Sequence, residues 1–190
     1  YPSALMSKVC DFPRSDVKKA FTSFMWLDAV VIRRAGFLKG SNFQRFLNDI
    51  NDIMNDLQEK VAKKIKSFSK CEDYELFMCN SGAEANENSL QIASFHTKKS
   101  RIIAFKNSFH GRSNAALSST DYDKIKSELN KQINVTFLKF NDHKSLEKEM
   151  AKNDVSAIIF ESIQRVGGLD EPETNFVKLM SELCEKYNTC

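Results

Sequence analysis

The chain has 190 residues, 42% hydrophobic and 28% charged, with a formal net charge of +3. That length supports one domain with a real core or most of a larger one, and the mixture is that of an ordinary globular protein. So small a positive excess leaves no footprint for nucleic acid, and apolar runs as short as AVVI (29–32) and AIIF (157–160) cannot cross a bilayer.

No basic stretch followed by an apolar run and a small-residue cleavage site is visible, which points to a cytoplasmic protein. Position 1 is Tyr rather than Met, which suggests residues upstream. The five cysteines (Cys10, Cys71, Cys79, Cys184 and Cys190) are odd in number and form no CxxC pair. That usage suits reduced thiols, and with only three scattered histidines no metal site is expected.

Residues 1–40 are poorly assigned: Pro2 and Pro13 interrupt them, and MWLDAVVI (25–32) reads equally as strand or helix. From residue 41 the pattern clears. Residues 43–65 place Phe46, Leu47, Ile50, Ile53, Met54, Leu57, Val61 and Ile65 at spacings of three and four, which predicts a long amphipathic helix, broken once near Asn51. YELFMC (74–79) predicts a buried strand, and the Ala-, Glu- and Leu-rich run after it a helix. RIIAF (101–105), NVTFLKF (134–140) and VSAIIFES (155–162) predict further strands. HKSLEKEMAK (143–152) predicts a short polar helix. EPETNFVKLMSELCEKYN (171–188) predicts a longer one with Pro172 near its start, where a missing N–H costs least. Strands alternating with helices predict an α/β fold with a mostly parallel sheet covered on both faces. A further strand is expected after the last helix, so the sheet reads as partial.

Three strand ends carry polar, glycine-containing loops, and α/β folds bind ligands at that edge. In NSGAEANE (80–87) the turn Ser81-Gly82-Ala83 opens a helix. A helix N-terminus offers unpaired N–H groups and the positive end of a dipole, which suits a phosphate. Ser81 with Glu84 also spells a capping box, and spacing alone favours that plainer reading. In NSFHGRS (107–113) Phe109 could stack on a planar ring and Arg112 could grip a carboxylate. Core packing for Phe109, a structural hydrogen bond for His110 and a surface ion pair for Arg112 are equally open. In FESIQRVGG (160–168) Glu161 sits where an apolar strand gives way to a polar loop, pointing into a cleft or merely marking the exit to solvent. A nucleotide-binding domain of another kind is disfavoured, because neither GK[ST] nor GxGxxG occurs.

NSGAEANE, IIAFKNSFHGRS (102–113) and IIFESIQRVGG (158–168), in that order, resemble the class III (subgroup II) pyridoxal-phosphate aminotransferases. The nearest look is to acetylornithine and succinylornithine aminotransferases. The likeness is strong from about Tyr74 to Tyr187 and weaker over LQEKVAKKI (57–65). It implies the large domain of the fold-type I PLP enzymes, with residues 41–190 forming part of it, a homodimer at full length, and pyridoxal 5'-phosphate (PLP) as cofactor. It implies that Ser81, Gly82 and Ala83 hold the cofactor phosphate, that Phe109 stacks on its ring, that Glu161 lies close by, and that Arg112 binds the substrate α-carboxylate. The implied reaction moves an amino group from an N-acetylornithine-like donor to 2-oxoglutarate, so amino-acid and 2-oxo-acid substrates are the expected partners.

Three positions depart from the family pattern. Arg165 stands where relatives carry glycine, which would strain the turn if φ were positive there. Val166 replaces a glutamate and leans toward an acylated donor, and Ser113 replaces threonine. The family's Schiff-base lysine and its cofactor-pairing aspartate are expected beyond residue 190, so the 190 residues alone are expected to be inactive. The rival expectation is a non-catalytic, truncated aminotransferase-like chain that binds or dimerises.

Overall fold

The computed structural model describes residues 21–24, 29–33, 56–69 and 74–190. The chain divides into two compact units, residues 1–22 with 31–77 and residues 23–30 with 78–190. In the first part of the chain β1 (Phe21–Phe24), β2 (Ala29–Arg33) and β3 (Tyr74–Met78) form a three-stranded sheet in that order. Helix α1 (Asp56–Ser69) is the described portion of the helix expected over 43–65, and it runs past Ile65. The expectations for residues 43–55 and 25–28 lie outside the described residues. MWLDAVVI therefore resolves toward strand at its described end.

The second unit is built on a parallel sheet of β4 (Arg101–Phe105), β5 (Val135–Leu138) and β6 (Val155–Ile158), in the order β5-β4-β6. Its helices are α2 (Gly82–Thr97), the short α3 (Asn114–Ser118), α4 (His143–Met150) and α5 (Thr174–Lys186), with 3-10 turns at Asp123–Ile125 and Asn130–Gln132. β3 was expected to share this sheet, but its hydrogen bonds go to the β1-β2-β3 sheet instead. A strand's sheet is decided by the edge it pairs with, and an apolar run carries no such address.

β4 is central, and all five of its residues are buried, which explains why RIIAF lacks a polar alternation. Side chains alternate between the two faces of a strand. Ile103 and Phe105 join Leu138 and Val155 beneath Leu146 and Met150 of α4 and Phe176, Met180 and Leu183 of α5. The Phe105 ring meets Phe176 edge-on at 5.8 Å between centroids and Phe140 at 4.8 Å. Ile102 and Ala104 take the other face, where α2 packs against β6 and buries Ala85, Leu90, Ile92 and Ala93. Beyond β6 the backbone of Cys190 bonds to Ser156 O and accepts from Ile158 N, in the manner of a parallel neighbour.

At the edge where the strands begin, a charged side chain is drawn into the fold. Arg101 is 5% exposed, and its guanidinium donates to Asp154 Oδ1, Glu149 Oε2, Glu149 O and Thr136 Oγ1 at 2.6–2.9 Å. One planar fork thus ties β4, β5, the C-terminal end of α4 and the turn before β6 together. The guanidinium holds the Asp154 carboxyl below the usual range, and Lys152 first and then Arg101 do the same for Glu149. Arg101→Ala leaves both carboxylates and the Glu149 carbonyl short of a donor, and is expected to cost about 3 kcal/mol. A urea titration followed by circular dichroism measures it, and a midpoint unchanged from wild type contradicts the clamp.

Candidate functional site

The site begins with the first turn of α2. Ser81 is its N-cap, in extended backbone, and its Oγ accepts from Glu84 N at 3.2 Å. Ala85 N donates to Ser81 O, while Glu84 reaches back to accept from Asn80 N at 2.8 Å. The capping expectation therefore holds, with the glutamate bonding one residue further upstream than a reciprocal box requires. The N–H groups of Gly82 and Ala83, in the first turn, have no carbonyl four residues back inside the helix. The Ser81 hydroxyl still has its hydrogen to donate. Two amides and a hydroxyl at the positive end of a sixteen-residue helix make a fit for a phosphate.

The loop after β4 is fastened directly onto this turn. Gly111 has φ +131°, and a Cβ there would lie 2.6 Å from Ala83 Cβ and 2.9 Å from Ala83 Cα. Ser113 Oγ donates to Ala83 O at 3.2 Å, and Asn86 Nδ2 donates to His110 O at 2.7 Å. Glu87 Oε2 accepts from Ala115 N and Ala116 N, anchoring the start of α3 to α2. Thr120 Oγ1 accepts from His110 N and lies 3.3 Å from Gly111 O. Asn86, Glu87 and Thr120 were missed by the sequence reading. A buried asparagine one turn past the cap was the available signal, but its loop partner is 24 residues away.

The loop after β6 completes the arrangement. Glu161 is 6% exposed, and its Oε2 accepts from Phe109 N at 2.9 Å, so the carboxylate holds the ring-bearing residue of the neighbouring loop. Burial pushes the Glu161 carboxyl above its ordinary range, opposed by the amides of Phe109 and Arg165 and by the Arg165 charge. Gln164 donates to Lys106 O and is buried, closing the loop against the end of β4. Arg165 is not among the positive-φ residues, so the strain expected of a non-glycine there is absent; Gly168 takes φ +104° instead.

Ser81, Gly82, Ala83, Phe109, Arg112 and Glu161 all line one cleft of about 670 Å³, together with Asn86, His110, Gly111, Ser113, Arg165 and Val166. That volume accommodates a cofactor-sized ligand. Every expected site residue is brought together here. Arg112 is exposed at the cleft, and among the described residues it makes no ion pair. A second hollow, of about 590 Å³, lies at the opposite edge between Lys98, Lys99 and Asp154 and contains none of them. Among the described residues no group of His, Cys, Asp or Glu could hold a metal ion.

The donor set suits PLP: backbone amides for a phosphate, an aromatic wall for a pyridine ring, and a guanidinium for a carboxylate. The family model for class-III aminotransferases matches residues 43–190. An acetylornithine aminotransferase of Bacillus cereus is 38% identical over 157 residues, covering 80% of this chain and 39% of its own length. The chain thus spans about two fifths of that relative. Among solved structures it is similar to the ornithine aminotransferase of Toxoplasma gondii, with TM-score 0.51, 28% identity, and 58% of this chain and 28% of that one covered. A second structure of that enzyme has PLP at partial occupancy in its active site. The taurine:2-oxoglutarate aminotransferase of Bifidobacterium kashiwanohense shares the fold, with TM-score 0.62, 18% identity, and 73% and 36% covered.

Two predictions follow from the contacts under the cleft. Gly111→Ala drives a methyl into Ala83 at a backbone angle that suits glycine, so a loss of about 2–3 kcal/mol is expected. Calorimetric melting would show it, and an unshifted melting temperature would refute the close approach. His110 is 4% exposed, with its Nε2 buried and unpartnered, and burial lowers its pKa to about 4. A depressed histidine stabilises the fold fully above its ordinary value of about 6.5 and loses that contribution as pH falls toward 4, on the order of 3 kcal/mol in all. His110→Gln should flatten this acid limb of the urea midpoint, and parallel limbs for variant and wild type would assign it elsewhere.

Proposed function

This chain belongs to the class-III aminotransferases, and on that premise we propose that it is part of a PLP-dependent enzyme that transfers an amino group from an N-acetylornithine-like donor to 2-oxoglutarate. The observation that carries the reading is the convergence of the α2 N-terminus, Phe109, Arg112 and Glu161 on one cleft. In this proposal residues 41–190 are part of the cofactor-binding large domain of a cytoplasmic homodimer.

Bound PLP would supply an electron sink for the negative charge that develops on the carbon bearing the amine. The protein's own work is to place the reactants. The residues that would hold the PLP phosphate are Gly82 and Ala83, through their N–H groups, and Ser81, through its hydroxyl. Phe109, held in place by the Glu161 carboxylate bound to its amide, would offer its ring as an aromatic wall to the cofactor. Arg112 would take the substrate α-carboxylate through a bidentate pair and so orient the substrate in the cleft. The lysine that anchors the cofactor and the group that pairs with the pyridine nitrogen are expected from residues outside 1–190. This division of labour agrees with a chain spanning about two fifths of its B. cereus relative.

The test is transamination by the complete protein. Arg112→Ala should lower kcat/KM for the amino donor about 10²-fold while leaving PLP affinity within about twofold, because its partner is the substrate and not the phosphate. No transamination with N-acetylornithine and 2-oxoglutarate, or an Arg112→Ala variant as active as wild type, would sink the proposal.

A further inference from the structure

The amides at the start of α2 and the Arg112 guanidinium sit on different segments, so a fixed spacing between them needs a tie within the protein. The Arg112 side chain supplies none: it is exposed at the cleft and makes no ion pair among the described residues. The residues that follow it do. Ser113 Oγ donates to Ala83 O at 3.2 Å, and α3 begins at Asn114. With five residues α3 is too short to be stable alone, and Ser113, its N-cap, makes no side-chain capping bond. The cap comes instead from Glu87, whose Oε2 accepts from Ala115 N at 2.7 Å and Ala116 N at 3.1 Å. These are the amides that an N-cap side chain ordinarily satisfies. A cap borrowed from 28 residues upstream leaves the Ser113 hydroxyl for the first turn of α2. Glu87 itself stands one turn further along that same helix. The Gly82 and Ala83 amides and the start of α3 are therefore referred to one rigid rod, and Arg112 is held just before the tie.

We propose that Glu87 is a positioning residue for the reaction: through α3 and Ser113 it sets how far the Arg112 guanidinium stands from the phosphate-binding end of α2. It touches neither cofactor nor substrate. The inference rests on the reading of Arg112 as the group that binds the substrate α-carboxylate. Reach rather than charge is what the geometry requires, because one oxygen carried out from α2 meets both amides. Glutamine offers an acceptor oxygen at the same reach, whereas aspartate keeps the charge and loses one methylene. A guanidinium set slightly out of place loses the aligned pair with a carboxylate, since such pairs depend on distance and direction.

The probe is pentanoate, a monocarboxylate, titrated by calorimetry into the complete, cofactor-loaded protein at a temperature where every variant is folded. Glu87→Asp should weaken pentanoate about tenfold and raise KM for the amino donor by a similar factor. Its kcat should stay within about threefold and its PLP affinity within about twofold of wild type. Glu87→Gln should restore pentanoate affinity and KM to within about threefold. Ser113→Ala removes the bond to Ala83 O and should show the same selective loss as Glu87→Asp, which keeps the test decisive if that variant does not fold. A merely structural Glu87 would lower the melting temperature and leave KM and pentanoate affinity alone. Pentanoate affinity unchanged in Glu87→Asp and Ser113→Ala, while Arg112→Gln weakens the probe, overturns the inference and leaves the aminotransferase reading standing. Glu87→Gln impaired as much as Glu87→Asp, or PLP affinity falling in step with pentanoate affinity, overturns it as well. If Arg112→Gln itself leaves pentanoate affinity unchanged, the reading and the inference fall together.

Discussion

The contact between Gly111 and Ala83 is the constraint on which the site depends. α2 begins with amides that no helical carbonyl can satisfy, and the loop after β4 carries the aromatic ring and the guanidinium. These two features are useful to a single ligand only if their backbones nearly touch. A Cβ at position 111 would lie 2.6 Å from the Ala83 methyl, so glycine is what allows the approach. Asn86, Ser113 and Glu87 then lock it with hydrogen bonds running in both directions between helix and loop. Glu161 extends the lock to the third loop through the amide of Phe109.

The charged groups are sorted by edge. Where the strands begin, Arg101 is saturated by two carboxylates, a carbonyl and a hydroxyl, and nothing remains for a ligand. Where the strands end, the arrangement is deliberately incomplete: two helix amides unclaimed, a guanidinium without an ion pair among the described residues, and a carboxyl pushed up by burial. A saturated network stabilises, whereas groups left without a partner are the ones a ligand can still use. His110 lines the same cleft, but burial keeps its ring neutral and its backbone N–H and carbonyl make the hydrogen bonds.

Capping and phosphate binding, which compete as readings of Ser81, turn out to be compatible. A hydroxyl accepts through its lone pairs and donates through its hydrogen. Ser81 accepts from Glu84 N and so fixes the helix start, which is what aims the Gly82 and Ala83 amides at the cleft. The plain structural role leaves the proposed one open to the same hydroxyl.

The sequence by itself determined the elements of the second unit and the family. Composition placed α2 and α4, an apolar face placed α5, and short apolar runs placed the strands of RIIAF, NVTFLKF and VSAIIFES, because propensity and side-chain direction are local properties. The motifs marked the candidate residues that line the cleft, because their chemistry was unusual at strand ends. What only the tertiary structure decided were the relations across the chain. These were the pairing of YELFM with β1 and β2, the ordinary φ at Arg165, the end of β6 at Ile158, and the meeting of Asn86 with His110 and of Glu161 with Phe109. The physical reason is separation. Glu161 and Phe109 lie 52 residues apart, and a hydrogen bond over that distance exists only once the parallel sheet has brought the ends of β4 and β6 side by side.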